Sequence, residues 1–421
     1  MKVERGNVNR AMAGISFVTD QTRGGRFCLA WGMPKNSSPV FAQVMAALHQ
    51  QTFAQCAALH PLRRRPRGLS RYDHFLALCF AHLTQRESLR DLVICLNAQP
   101  NGHLGFRGRI TRTNLAYANE RRDWRLFAAV AERLMKRARR LYTTGARRLE
   151  LPELAFALDA SLIHLSAKIF PWAVGGQRHA TAVKLHVLLA LRGNLPAWST
   201  LTGGRYPEVK MLDVLPVQAG CYYIMDRGYL DFSRLHHLHA QGGFFVVRSR
   251  RRLAFAVRAA RRVELPTGLR CDQTIRLTHP HSQRSYPGEL RRVKVYDAQR
   301  QLTVVLLTNQ FDLPATTLAE LYKQRWQVEL FFKWIKQHLH LRTFLGQSPN
   351  AVACQLWAAI CVYLLLAILK KELKLSQSLY QLAQIINLRP FEQTPITELL
   401  AQNQPQTETD QNQNTFNFNA L

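Results

Sequence analysis

The stretch from Thr317 to His340, TLAELYKQRWQVELFFKWIKQHLH, decides how this chain is read. Neither Pro nor Gly interrupts it, and Thr317 with Glu320 makes a T-x-x-E capping box, so the pattern predicts one helix opening at Thr317. At about 100° per residue, Tyr322, Arg325, Glu329 and Lys336 fall within roughly 60° of one another. The rest of the helix carries Trp326, Val328, Phe331, Phe332, Trp334, Ile335 and Leu339. One carboxylate and two cations are thus held against an apolar mass, which is costly unless something pairs with them. Taken alone, the helix has an equally good plain reading, with Arg325 and Glu329 as an ordinary i,i+4 surface pair. Acids elsewhere in the chain decide between the two.

Two apolar runs supply such acids. ELAFALDASLIHL is a β-type run holding Asp159, and CYYIMDRGY is a strand ending in Asp226. AVKLHVLLALRG, AWSTLTG and Phe244 to Arg248 read as further strands, with helices at Glu208 to Leu215 and Phe232 to Ala240. The alternation predicts an α/β protein whose mixed sheet is flanked by helices. Carboxylates gathered from two strand ends and a helix suit phosphoryl transfer, where they hold two divalent ions about 4 Å apart. All-oxygen ligation favours Mg²⁺, with Mn²⁺ as a substitute. A strand-end Asp by itself more often caps a turn, so the residues around each acid carry the weight.

The composition agrees with a polyanionic partner. Lys plus Arg number 57 against 27 Asp plus Glu, a formal charge of +30, far more than solubility requires. The cations are spread over several segments rather than along one basic amphipathic helix, which favours nucleic acid over a membrane surface. Eight cysteines without a C-x-x-C pair read as reduced core residues. The first thirty residues lack a continuous apolar run, so no signal peptide is expected and the chain reads as intracellular. AVACQLWAAICVYLLLAIL, residues 351–369, has the length of a membrane span, but it contains Gln355 and follows the amphipathic helix directly, which predicts a buried core helix.

Residues 1–38 lack periodicity and are expected to be disordered or extraneous, with Met33 as an alternative natural start. From 39 to 148 the apolar spacing is helical, with helices at Phe41 to Leu59, Ser70 to Leu83, Ser88 to Leu96, Asn114 to Asn119 and Trp124 to Leu141. GFRGRITRTNLAYANERR, with Thr113 as a cap and Asn114, Asn119, Arg121 and Arg122 on the helix, is similar to a helix-turn-helix, though a solvated inter-helix surface fits equally well. The runs Arg63-Arg64-Arg65-Pro66-Arg67 and Lys136-Arg137-Ala138-Arg139-Arg140 favour DNA phosphates. Residues 149–248 form the first part of the α/β core. Residues 249–312 form a basic β-rich insertion, with twelve Arg from Arg248 to Arg292 against Glu264, Asp272 and Glu289. The core resumes over 313–372, a helical segment follows over 373–400, and 401–421 is a polar tail expected to be disordered.

At this point the chain resembles DDE-type insertion-sequence transposases of the insertion sequence 4 branch. The resemblance rests on Asp159 in ALDAS, on Asp226-Arg227-Gly228-Tyr229 with Phe232, and on Y-x2-R-x3-E-x6-K made by Tyr322, Arg325, Glu329 and Lys336; it spans roughly residues 39–370. It implies a ribonuclease-H-like mixed sheet interrupted by the β-rich insertion, with an all-α N-terminal DNA-binding region. Asp159, Asp226 and Glu329 would be the catalytic metal ligands. Tyr322, Arg325 and Lys336 would contact phosphates of the transposon end, and Arg227 and Tyr229, beside Asp226, would join them in binding DNA. The implied activity is cleavage at terminal inverted repeats and joining to target DNA, by a homodimer in a synaptic complex in the prokaryotic cytoplasm at the nucleoid. Two other readings share these residues: a catalytically silent repressor, and a metal-dependent nuclease without strand transfer. Lys184 and His186 lie on a strand near Asp159 and fit a site-facing or a sheet role equally. Where many family members carry a His-Asp pair ahead of DRGY, this chain has Tyr206-Pro207-Glu208, leaving that loop without an assigned role.

Overall fold

The structure, a computed structural model, describes residues 38–62, 68–98, 104–143, 154–166, 169–170, 172, 182–250, 252–263, 268–297, 301–339, 341 and 343–401. Most of the N-terminal segment, the Arg63 to Arg67 run and nearly all of the polar tail lie outside these residues.

Six helices come first: α1 (Val40–Ala46), α2 (Gln50–Leu59), α3 (Arg71–Leu83), α4 (Leu89–Asn97), α5 (Arg112–Arg121) and α6 (Arg125–Thr143). Their starts follow local capping chemistry. Ser70 and Asp73 make a reciprocal capping box on α3, with hydrogen bonds of 2.9 and 3.1 Å, and Ser88 caps α4. Thr111 caps α5 by accepting the Asn114 N–H at 3.2 Å, so the cap lies two residues ahead of the expected Thr113. The single helix expected over Phe41 to Leu59 is two, parted at residues 47–49.

The strands are β1 (Ala155–His164), β2 (Ala182–Ala190), β3 (Leu195–Gly203), β4 (Tyr222–Met225), β5 (Phe244–Arg248), β6 (Phe255–Arg261), β7 (Leu269–Leu277), β8 (Leu290–Asp297) and β9 (Leu302–Thr308). A 3-10 turn, Glu208–Asp213, stands where a helix is expected; α7 (Phe232–Ala240) precedes β5 and α8 (Pro280–Ser285) precedes β8. All nine strands belong to one sheet, in the order β3-β2-β1-β4-β5-β9-β8-β7-β6. The pairs β1–β4 and β4–β5 are parallel and the others antiparallel. The basic insertion therefore continues the core sheet instead of standing apart, because β9 returns to pair with β5. Neither β6 nor β7 is predicted from sequence. A register shift between Leu269 and Cys271 breaks the alternation of β7, and Asp272 and Thr274 point inward.

The chain closes with α9 (Ala315–Gln324), α10 (Trp326–His338), α11 (Pro349–Glu372), α12 (Leu379–Leu388) and α13 (Ile396–Ala401). Ser348 caps α11 and Pro349 fills its first turn. Every residue from Ala351 to Leu369 is buried, as a helix apolar on all sides requires in water. Helices α3, α5, α6, α10 and α12 pack around it. Polar contacts fasten this packing: the His82 ring nitrogens lie 2.7 and 2.9 Å from the Leu339 and Gln355 carbonyls, and Arg137 pairs with Glu372 at 2.6 Å. The N-terminal helices thus share one core with α11, and the sequence boundary near 148 is not a packing boundary.

Candidate active site

The site starts from strand register. In the parallel pair β1–β4, Leu158 lies opposite Met225, so the next residues, Asp159 and Asp226, lie side by side; Asp226 follows the end of β4, whereas Asp159 stands mid-strand and not at the expected strand end, because β1 runs on to His164 in its pairing with β2. Parallel neighbours lie about 4.8 Å apart, which brings the two acids into one row although the sequence separates them widely. Four buried residues, Ala155 to Leu158, anchor Asp159. Its Oδ1 accepts the Ala160 N–H at 2.8 Å. Asp226 leaves β4 and caps a 3-10 turn, Arg227–Tyr229, by accepting the Gly228 N–H at 2.8 Å. A Cβ on Gly228 would stand 3.1 Å from Asp226 Oδ1, so any side chain there would press on the acid.

The third acid comes from the helix. Pro314 precedes α9 and no side chain caps it, so Thr317 lies within the helix and the expected capping box does not form. The predicted single helix is divided at Arg325. The Arg325 N–H bonds the Tyr322 carbonyl at 3.1 Å and the Val328 N–H bonds the Arg325 carbonyl at 3.1 Å, a tightened three-residue spacing. The guanidinium joins the elements: Nη1 lies 3.2 Å from Asp159 Oδ2 and Nη2 lies 2.5 Å from Glu329 Oε1. The plain i,i+4 pair is therefore realised, and Asp159 is an added partner of Arg325.

Burial pushes the Asp159 carboxyl up to about 7; the Ala160 N–H and Arg325 pull it down, while Asp226 and Glu329 push it further up. Arg325 neutralises part of a larger negative charge. Carboxylates are hard oxygen donors, which fit Mg²⁺ in kind. Among the described residues no three acidic, His or Cys side chains converge closely enough to hold an ion, and Arg325 bridges two of the acids. A bound cation would require that guanidinium to withdraw.

A cleft of about 630 Å³ runs along β1 and α10, lined by Asp159, Ser161, His164, Glu329, Lys333 and Lys336. Lys336 thus shares a surface with two acids, and burial lowers its ammonium pKa. Tyr322 is partly buried, with the Arg325 guanidinium 6.0 Å from its ring centroid. Arg227 is exposed beside Asp226. Tyr229 departs from expectation: it is fully buried, and its hydroxyl has no hydrogen-bond partner among the described residues. It supports the turn from inside and presents no surface to DNA in this conformation.

Lys184 and His186 are held elsewhere. Lys184 pairs with Glu208 at 2.9 Å and donates to the Tyr206 carbonyl at 3.1 Å, and His186 lies 2.8 Å from Thr202 Oγ1. Within the helix-turn-helix candidate, Asn119 and Arg122 are buried: Asn119 bonds His74 and the Leu345 carbonyl, and Arg122 donates to the Leu69 and Ser70 carbonyls. Both are structural. Arg112, Thr113, Tyr117 and Arg121 form the exposed face of α5.

One residue escaped the sequence reading. Met225 lies opposite Val247 in the β4–β5 pair, so Arg248 ends β5 beside Asp226. Across three consecutive parallel strands one register row reads Asp159, Asp226, Arg248, with β1 continuing past it to His164. The available signal was FFVVR, an apolar strand closed by a charge in the manner of YYIMD.

Comparison with known proteins places this geometry. The family model described as Transposase DDE domain matches residues 150–365, and one described as Domain of unknown function (DUF4372) matches residues 36–107. The chain is 31% identical over 293 residues to the putative transposase y4zB of Sinorhizobium fredii, covering 68% of this chain and 79% of that one. It is 29% identical over 231 residues to the probable transposase for insertion sequence element IS5377 of Geobacillus stearothermophilus, covering 54% and 60%. It is 23% identical over 278 residues to the putative transposase for insertion sequence element IS4SA of a Synechocystis strain, covering 63% and 74%. The matched span encloses Asp159, Asp226 and Glu329 together, and the chain belongs to the DDE transposases of insertion sequences.

Proposed function

We propose that this transposase binds the terminal inverted repeats of its own element, hydrolyses DNA at their 3′ ends and joins those ends to target DNA. The observation that carries the reading is that Asp159, in β1, lies beside Asp226, just past β4, while Arg325 ties Asp159 to Glu329. The order β3-β2-β1-β4-β5, antiparallel and then parallel, supports a ribonuclease-H-like core, and the Y-R-E-K spacing supports the insertion sequence 4 branch.

Asp159, Asp226 and Glu329 would hold two Mg²⁺ ions, which supply activation of the attacking oxygen and stabilisation of the leaving one. The protein's own groups do the rest. Arg325 balances two acids while the site is free of DNA, and a phosphate is the natural acceptor for its guanidinium once those acids are engaged otherwise. Lys336 stands on the same cleft wall as Glu329, placed for a phosphate beside the reacting one. Tyr322 offers a hydroxyl on the same stripe, and exposed Arg227 approaches from the Asp226 side. The exposed faces of α5 and α6 supply further cations for end DNA, and a homodimer acting on the nucleoid in the cytoplasm would synapse two ends.

The test incubates purified protein with linear DNA bearing the element's ends and Mg²⁺, comparing wild type with Glu329→Ala. Loss of a metal-holding carboxylate should lower end cleavage about a thousandfold, roughly 4 kcal/mol, with end binding retained. End binding without cleavage by the wild type would leave only a silent repressor, and cleavage without joined products would favour a nuclease.

A further inference from the structure

Beyond Asp226 and Arg248 lies a second, larger cleft of about 1130 Å³, between the turn that follows β4 and the segments leading into β6 and α8. Its wall begins at Leu230, four residues past Asp226, and continues through Arg250, Arg252, His279 and His281. The chain leaving β5 builds it: Arg248 ends the strand beside Asp226, and Arg250 and Arg252 follow at alternate positions, both exposed. Arg250 donates to the Leu230 carbonyl at 3.3 Å, which fastens this segment to the turn that carries the acid. Two carboxylates also line the cleft, Asp213 and Asp231, and both are engaged by Arg234, at 2.8 and 2.9 Å for Asp213 and 2.8 Å for Asp231. Arg252 makes no hydrogen bond or ion pair among the described residues.

We propose that this second cleft is where target DNA is held, its phosphates gripped by Arg250 and Arg252 on the far side of the acid row from α10. The inference rests on the strand-transfer reading above. Joining requires two DNA molecules at one row of acids. The cleft along α10 and Lys336 lies on the β1 side, so the end it holds leaves the β5 side for the second duplex. A charged, sequence-indifferent wall suits a partner recognised through its backbone, since phosphate contacts fix position without reading bases. It also gives Arg250 and Arg252, two of the twelve arginines from Arg248 to Arg292, a use that cleavage of the ends does not require.

The test separates capture, cleavage and joining in wild type, Arg252→Ala, Arg252→Glu and Arg252→Lys. The protein is first saturated with end DNA, and a fluorescently labelled second duplex of unrelated sequence is then titrated by anisotropy at several salt concentrations. Arg252→Ala should weaken capture of the second duplex about tenfold and lower the salt slope by about 1, Arg252→Glu should weaken it further, and Arg252→Lys should stay near wild type. Cleavage of the ends should remain within about twofold of wild type in all three, which also shows that they fold, while joining falls with capture. Unchanged capture in Arg252→Glu overturns the proposal. So does an equal fall of cleavage and joining, which would assign the cleft to the flank of the element's own end. A wild type that captures the second duplex through Arg252 but cuts nothing would sustain the cleft and defeat the strand-transfer reading; a wild type that captures nothing would defeat the cleft alone.

Discussion

Arg291 and Arg325 both meet carboxylates at hydrogen-bond distance, and they are built for opposite purposes. Arg291, in β8, grips Asp272 of β7 bidentately through Nε and Nη2 at 2.8 and 2.7 Å, while its Nη1 faces the Leu313, Phe311 and Gln310 carbonyls. Both partners are almost wholly buried and their charges offset each other, with Arg261 adding a longer contact to Asp272 Oδ1 at 3.5 Å. Arg325 makes one contact to each of two acids, with a third, Asp226, on the adjacent strand end. Its surroundings stay negative and face a cleft. A closed ion pair fixes a fold, whereas an open one leaves charge for a ligand to complete.

The largest expected effect tests the closed pair. Asp272→Ala leaves Arg291 buried and charged with no means of losing its proton, and should cost about 3–5 kcal/mol of stability, read as a fall in denaturation midpoint. A cost below 1 kcal/mol would show that the carbonyl acceptors suffice alone.

Another closed contact, His74 with Asn119 at 2.7 Å, should fail in acid. Burial holds the His74 imidazole down to about 3, so the unfolded chain binds a proton below pH 6.5 that the folded chain refuses. Stability should therefore fall as pH drops from 6.5 towards 3, by about 1.4 kcal/mol per pH unit from this group. Thermal melting from pH 7 to 5 should show it, and His74→Gln should flatten the slope.

The open pair should tolerate loss. Arg325→Ala should cost only about 1 kcal/mol, because Asp159, already raised to about 7, can take a proton instead of standing as an unpaired charge. Mg²⁺ should then raise the melting temperature of the variant at lower concentrations than it raises that of wild type. Equal costs for Asp272→Ala and Arg325→Ala would break the contrast. The smallest effect concerns the Tyr229 hydroxyl beneath the acids. Tyr229→Phe removes an unpartnered buried group and should leave stability unchanged or raise it by up to about 1 kcal/mol, and a clear loss would reveal a partner acquired in solution.

Which parts of the site were legible follows from where their signals lie. Asp159 and Asp226 each close a run of buried apolar residues, and Glu329 sits on a stripe set by helical period, so local pattern marked all three. Arg248 was passed over because an arginine after a strand is unremarkable until register sets it beside Asp226. Asn119 and Arg122 looked like DNA contacts because polar residues on a short basic helix usually face solvent; here they bond backbone carbonyls distant in sequence, which no local pattern announces. Tyr229 gave no sign of its burial, since the turn after Asp226 folds it inward.

By itself the sequence determined the basic excess, the buried character of residues 351–369 and the alternation that makes a mixed sheet, and it singled out three candidate acids, because each depends on residue type and local period. Tertiary structure alone decided that the insertion extends the core sheet through the β5–β9 pair, that the N-terminal helices close around α11, and that Arg325 bridges two acids. Those features are pairings between distant segments, fixed by register and by the need to satisfy buried polar groups.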